Sequence, residues 1–112
     1  MSDTTVTKVN AGTSRQGDQG QIHLASGKDV SMRLWRDRAP TDNKPPSSHD
    51  YEVVGYVIAG RAELEIEGRT VTLEPGDSWV VPKGATHRYR ILEPLTAVEA
   101  TAPPEEKGGQ DG

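Results

Sequence analysis

Five side chains in this sequence have types suited to a chemical site: the imidazoles of His49 and His87, the phenols of Tyr51 and Tyr89, and the carboxylate of Glu52. Imidazole titrates near neutral pH and is the commonest protein ligand for metals, so two such rings could bind one divalent ion of Fe, Mn, Zn or Ni. Two imidazoles rarely hold such an ion alone, because metal catalysis needs three protein ligands and an open position. A carboxylate or phenol beside them could complete that set or transfer protons.

The local sequence of one stretch, residues 76–87, defines the position of His87. Residues 75–77 form a turn by composition, since Pro presets φ, Gly adopts a conformation that other residues avoid, and Asp can bond its own backbone. Residues 79–81 are β-formers that Pro82 stops, and residues 83–85 predict a second tight turn. Two turns therefore deliver His87 to the start of the next strand.

Glu52 is the first candidate for a third metal ligand, but strand alternation opposes it. From His49 inward, Tyr51 shares the histidine's face and Glu52 points to the opposite one. A bulge between His49 and Gly55 would reverse this, and glycine inside a strand is a common sign of a bulge. Tyr51 is the second candidate, as a phenolic ligand or proton donor, and Glu52 could equally be a solvated strand residue.

The elements that must position these residues are short β-strands. Apolar or alternating runs bounded by Gly, Pro, Asn and Asp recur at steady intervals, and no helical period is convincing. The predicted strands cover residues 21–24, 30–35, 51–58, 62–66, 71–73, 79–81, 86–91 and 95–100. Residues 62–73 read as a hairpin turning at 67–68. The pattern predicts an all-β sandwich, jelly roll or barrel.

The length of 112 residues suits one domain. Residues 21–100 hold the strands and form the predicted barrel domain. Residues 1–20 are rich in Ser, Thr, Gly, Asp and Gln, which predicts a flexible arm, and residues 101–112 have the composition of a disordered tail. Apolar residues make up 32% and Phe is absent, so the core must be modest.

The formal charge of −4 and a pI near 5.3 argue against nucleic acid as a partner, because phosphate backbones require a clustered positive field. One local basic cluster, Arg33, Arg36 and Arg38, is offset by Asp37. This cluster could face a small anion, or it could be a solvated strand end.

Cysteine is absent, so neither disulfides nor thiolate sites are expected. The first ten residues lack the basic and apolar regions of a secretory signal, and the apolar run at 53–59 is too short to cross a bilayer. These features predict a cytoplasmic protein without a membrane partner.

The arrangement around His87 resembles the second signature of the cupin superfamily, G-x5-P-x-G-x2-H-x3-N. Gly76, Pro82, Gly84 and His87 fall in register, and Ile91 stands where the signature closes on Asn.

The first cupin signature, G-x5-H-x-H-x3-4-E-x6-G, should lie upstream and close on a glycine, for which Gly60 qualifies. Counting back from it puts His49 on the second histidine, Ser47 on the first and Val53 where the family has its glutamate. One of the three expected ligands is therefore in register.

The resemblance covers residues 30–100 and implies a double-stranded β-helix, the cupin jelly-roll barrel, with a ligand-binding lumen. Several cupins bind a divalent metal through these positions, which here carries over to His49 and His87, with Glu52 as the third ligand if a bulge turns it inward. A lumen lined by His49, Tyr51, His87 and Tyr89 is predicted whether or not a metal binds.

Three functions are compatible with this resemblance. The first is a small-molecule-binding cupin, as a metal-dependent dioxygenase, isomerase or decarboxylase in which Tyr51 or Glu52 moves protons. The second is a non-catalytic metabolite-binding or sensing module that acts through a partner, and the third is a structural dimer subunit. A homodimer is expected under all three, because cupins commonly pair through edge strands and a small barrel gains from burying one.

Overall fold

The computed structural model describes residues 7–17, 19–41 and 44–104, which form an all-β structure preceded by one short 3-10 helix, Ala11–Thr13. The strands are β1 (Ile22–Ser26), β2 (Ser31–Arg38), β3 (Glu52–Ile66), β4 (Arg69–Leu73), β5 (Ser78–Val81) and β6 (His87–Ala102). The predicted jelly-roll β-barrel is confirmed.

The barrel is built around one long antiparallel ribbon of β3 and β6. The pairing runs from Glu52 opposite Ala102 to Ile66 opposite His87, with register shifts between Val57 and Ala62. The ribbon bends within this shifted segment, at Gly60, which has φ +89°. A Cβ there would overlap the carbonyl oxygen of Pro94, so only glycine allows the two backbones to come this close. The bend folds the ribbon over and lets both of its halves face one interior.

The remaining strands extend this ribbon on both sides. The order is β1-β2-β6-β3-β4, and β5 also pairs with β3, so the first half of β3 lies between β5 and β6. The core is formed by inward residues of both ribbon halves and of β4 and β5. Its most buried apolar members are Val53, Val57, Ala62, Leu64, Leu73, Val81 and Ala97.

The predicted hairpin is β3 and β4, joined by Glu67 and Gly68. Both residues have positive φ, 49° and 81°, which is the two-residue turn whose twist matches antiparallel strands. Two predicted strand breaks were wrong. Residues 51–58 and 62–66 form one strand that continues through Gly60, and residues 86–91 and 95–100 join as β6.

The boundaries of the barrel also differ from those expected. β6 continues to Ala102 with Thr101 fully buried, so the first two residues of the predicted tail belong to the sheet. The rest of that tail beyond residue 104, and residues 1–6 and 18 of the predicted arm, lie outside the described residues. Within the described ranges there is no helix of the length and apolar character needed to span a membrane.

Candidate functional site

The loop that follows β2 brings His49 beside His87, although the sequence gives this loop no regular structure. Its backbone is attached to the start of β6 and to the turn before it, which fixes the path of the loop independently of its side chains. The bonds are Thr41 N to Ile91 O at 3.1 Å, Ser47 N to His87 O at 2.8 Å, His87 N to Ser47 O at 2.9 Å and Gly84 N to His49 O at 2.9 Å.

The four predicted lining residues form one cluster of rings. The ring centroids of His49 and His87 are 5.2 Å apart at 66°, and His49 stacks on Tyr51 at 4.8 Å and 4°. Tyr89 meets His87 edge-on at 5.6 Å. Both imidazoles and both phenols therefore face the same interior.

His87 is held in one tautomer by its own turn. The ring is buried, and its Nδ1 lies 3.0 Å from the backbone oxygen of Ala85. A carbonyl oxygen can only accept, so Nδ1 is the donor in this contact, and in the neutral ring Nε2 is then the acceptor. The tight turn at residues 83–85 thus sets both the position and the protonation pattern of the imidazole.

An ion pair that the sequence did not predict lies beside these rings. Arg33 Nε donates to Glu99 Oε1 at 2.7 Å, and Trp35 Nε1 donates to the same oxygen at 2.8 Å. Arg33 Nη1 also donates to the Tyr51 hydroxyl at 3.3 Å. Arg33 and Glu99 are directly opposite across β2 and β6, so pairing the predicted strands 30–35 and 95–100 in register would have found them.

Tyr89 is tied to the same network through its hydroxyl. The oxygen accepts from Trp79 Nε1 at 3.0 Å, and the negative charge of Glu99 acts on the phenol. Burial, with the charge of Glu99 next, raises the pKa of Tyr89 well above its usual range, so the phenol stays protonated. Gly55 makes room for Trp79, because a Cβ there would overlap the indole ring.

Gly55 therefore serves packing and not the bulge that the sequence suggested. The register of β3 is continuous from Glu52 to Val57, and Glu52 is exposed on the outer face. Val53, at the family's glutamate position, is the residue that points inward. The structure thus brings His49, His87 and both tyrosines together and leaves Glu52 outside.

The donor set does not fit the divalent metal that the cupin resemblance implies. Two imidazoles face the interior, and Glu99, the buried carboxylate nearest in the network, is already bound to Arg33 and Trp35. In the part of the chain that the structure describes, no three His, Cys, Asp or Glu side chains form a group that could hold a metal ion. A three-ligand face is therefore not supplied.

The ring cluster and the ion pair line a cavity of about 570 Å³. Its walls include the aromatic rings of Trp35 and Trp79, and its margin carries Arg36, Arg38 and Lys44. The volume is within the range of sites that enclose small organic molecules, about 300–1,000 Å³.

The jelly-roll barrel and the cluster of polar side chains in its lumen together indicate the class of protein. The chain belongs to the cupin family: the family model described as "Cupin domain" matches residues 36–100. Curated relatives include an uncharacterized protein of Streptomyces coelicolor, 28% identical over 79% of this chain and 84% of the relative. Another, from Aquifex aeolicus, is 32% identical over 61% of this chain, which spans 56% of that relative's length.

Solved structures show the same fold at low sequence identity. KdgF from a Halomonas species has a TM-score of 0.79 at 23% identity, with 91% of this chain and 97% of that chain covered. An RmlC-like cupin from Shewanella frigidimarina gives 0.73 at 17% identity, covering 91% and 95%. Ectoine synthase from P. lautus gives 0.66 at 22%, covering 76% and 64%.

Proposed function

We propose that this cupin binds a small, oxygen-rich organic molecule inside its barrel. The observation that carries the proposal is the cavity of about 570 Å³ on which His49, His87 and the two tyrosines converge. Such cavities hold ligands by aromatic contact and by a few fixed polar groups that set orientation. Trp35 and Trp79 supply the aromatic walls, and His87 Nε2 supplies a fixed acceptor.

The rigidity of the polar network supports recognition without a resident metal. Arg33, Glu99 and Tyr51 are linked by hydrogen bonds in a buried site, so a ligand meets groups that are already oriented. Preorganised groups lose little conformational entropy on binding. Hydroxyl or carbonyl oxygens of the ligand would bond to the lumen side chains, and its carbon skeleton would lie on the rings.

A ligand titration tests this proposal, with the two lumen tryptophans as reporters. Sugars, hydroxy acids and phenols are titrated while tryptophan fluorescence is followed. We expect saturable binding that is weakened in Tyr51→Phe and His87→Ala and kept in Tyr56→Phe, a matched change on the outer face. If none of these compounds binds, or if both lumen variants bind as the wild type does, the proposal is wrong.

Metal content is tested separately. We expect untagged protein to hold divalent metal far below one equivalent, and His49→Ala, His87→Ala and Glu52→Gln to leave that content unchanged. One equivalent of metal in the wild type that is lost in His87→Ala would show that an ion completes the site.

The second candidate function is catalysis of proton transfer on the bound molecule. The specific observation in its favour is the Nδ1 contact of His87 with Ala85, which leaves Nε2 as the ring nitrogen that could exchange a proton with a ligand. A structural relative, ectoine synthase, is named as an enzyme, but fold does not fix function. NMR spectra of a bound ligand over time separate the two: conversion indicates an enzyme, and an unchanged ligand indicates a binding or sensing module.

We also propose that the protein is a homodimer formed through the outer face of its sheet. Cross-strand pairing aligns Val80, Val54, Ala100 and Met32 in one row across β5, β3, β6 and β2, with Tyr56 and Val98 in the next. Val54 and Val80 are each 49% exposed. These two rows carry no charge, so a second copy could cover them without desolvating an ion.

Light scattering after size exclusion tests the dimer. We expect a dimer for the wild type and a monomer for Val54→Asp. Val71→Asp, on β4 and similarly exposed, is the matched control and should remain dimeric. A monomeric wild type, or equal dissociation of both variants, would contradict this interface.

A further inference from the structure

The more exposed part of the cavity lining, here called the mouth of the lumen, carries two cations whose charges repel each other, Arg38 and Lys44, although the chain as a whole is acidic. From them we infer that the lumen ligand bears a compact oxyanion, a carboxylate or a phosphate, which Arg38 and Lys44 bind at the mouth. This inference rests on the proposed ligand-binding function and names the chemical class of the ligand.

A bulge in β2 directs Arg38 to the lumen. Between the pairs Trp35–Ala97 and Arg38–Leu95, β2 contains one residue more than β6. Without the extra residue, alternation from Trp35 would place Arg38 outside. With it, Arg38 lies opposite Leu95, a buried inner-face residue.

The bulge is maintained by an unfavourable backbone conformation. Asp37 has φ +48°, which is uncommon outside glycine, and its N–H donates to Thr96 Oγ1 at 3.0 Å. Such strain persists only where the surroundings enforce it. The local cost of turning Arg38 inward is therefore offset by the surrounding sheet.

The guanidinium of Arg38 is also fixed in place. It lies over the Trp35 ring, 5.1 Å from the centroid, and its Nη1 is so close to Gly20 that a Cβ there would overlap it. A guanidinium stacked on an indole keeps its in-plane N–H donors available for an oxyanion. Arg38 is thus held as a donor pair before any ligand arrives.

Lys44 brings a second positive charge to the same place. Desolvation and the charge of Arg38 lower the pKa of Lys44, and the negative charge of Glu99 opposes this shift. Among residues 7–17, 19–41 and 44–104, neither Arg38 nor Lys44 forms an ion pair with a carboxylate. Two like charges near one another are unfavourable until an anion lies between them.

The deeper lumen cannot take this role. Arg33 is already neutralised by Glu99, and Arg88 pairs with Glu65 on the outer face. The uncompensated positive charge is therefore at the mouth, where Arg36 contributes a further positive charge and Asp37 a negative one. An oxyanion bound there would leave the rest of the ligand beside the rings of the lumen.

The test uses pairs of compounds that differ only in charge: gluconate and gluconamide, benzoate and benzamide, succinate and succinamide. Affinity is measured by tryptophan fluorescence, since Trp35 lies beneath Arg38. We expect acids to bind about tenfold more tightly than amides in the wild type, because charge-assisted hydrogen bonds are about twice as strong as neutral ones. Inorganic phosphate is titrated alongside, and tighter binding of phosphate than of any acid would assign the oxyanion to a phosphate group.

Variants then show which residues cause the preference for acids over amides. Arg38→Gln and Lys44→Gln should each remove most of the acid preference and leave amide affinity within about twofold. Arg69→Gln, at the exposed start of β4, and Lys83→Gln, on an exposed turn, are outside the cavity lining. They change the net charge by the same amount and should keep the acid preference. Lys44→Gln lies outside the strands, so the test stands even if Arg38→Gln alters β2.

The outcomes separate this inference from the function on which it rests. Amides that bind as well as acids, or a preference that survives in both mouth variants, would overturn the anion site and leave ligand binding intact. If neither member of any pair nor phosphate binds but a sugar or phenol does, the anion site is wrong and ligand binding stands. If the sugars and phenols fail as well, the proposed function fails too.

Discussion

The two faces of the sheet formed by β2, β3 and β6 depart at several positions from the usual distribution of side chains. The inner face buries Arg33, Glu99 and His87, each less than 8% exposed, whereas the outer face leaves Val54, Tyr56 and Ile58 about half exposed, at 49%, 48% and 52%. Ordinary antiparallel sheets bury their apolar face and hydrate the polar one. A face that buries charge and a face that exposes valine both require a reason beyond folding, which the proposed ligand inside and the proposed second copy outside would supply.

Two ion pairs of similar geometry, one on each face, allow the effect of burial to be compared directly. Arg33–Glu99 has an Nε–Oε1 distance of 2.7 Å and Arg88–Glu65 has 2.6 Å, but side-chain exposure is 9% and 4% in the first and 44% and 47% in the second. Because the geometry is nearly the same, the difference in their contributions to stability should come from burial.

The largest expected effect is on the inner pair. Glu99→Gln keeps the shape but leaves the Arg33 charge buried without its counter-charge, which should lower the free energy of unfolding by about 3–5 kcal/mol. Urea denaturation measures this loss. The double variant Arg33→Met, Glu99→Met should recover much of it, since no buried charge is left uncompensated. A loss below about 1 kcal/mol for Glu99→Gln would place the pair in a hydrated environment.

An intermediate effect is expected from Tyr89 at alkaline pH. Its pKa is raised in the folded state, so its stabilising contribution is complete below the unfolded value of about 10 and declines as pH rises above it. Above that pH, wild-type stability relative to Tyr89→Phe should fall by up to about 1.4 kcal/mol per pH unit. Urea midpoints measured across this range for both proteins provide the comparison, and parallel curves would mean that Tyr89 ionises normally.

The smallest effect is expected from the outer pair. Glu65→Gln should change the free energy of unfolding by less than about 1 kcal/mol, and salt should reduce the change further. The measurement is the same urea titration at low and high ionic strength. A cost comparable to that of Glu99→Gln would show that geometry, and not burial, decides the contribution of these pairs.

Much of the barrel could be predicted, because its signals are local. The turns at 75–77 and 83–85, the hairpin at 67–68 and the alternation in the strands all depend on neighbouring residues. The position of His87 at the start of β6 followed from them. The sequence could not show that residues 51–58 and 62–66 belong to one strand through Gly60. Glycine is required there because its backbone comes close to Pro94, which is distant in the sequence.

The site was less predictable, because it depends on pairing between distant strands. The partnership of Arg33 with Glu99 needs the register of β2 on β6, and the inward turn of Arg38 needs a bulge in that same pairing. Gly55 was misread as the sign of a bulge because the space that it provides belongs to Trp79 on another strand. Alternation correctly opposed an inward Glu52.

The four backbone hydrogen bonds that hold the loop before β3 to the barrel use main-chain atoms of its residues 41, 47 and 49. Main-chain bonds do not depend on which side chain a residue carries, so serine can stand where cupins commonly have histidine and the frame is retained. Substitutions along this loop can therefore change what the lumen recognises while the architecture that surrounds it is inherited unaltered.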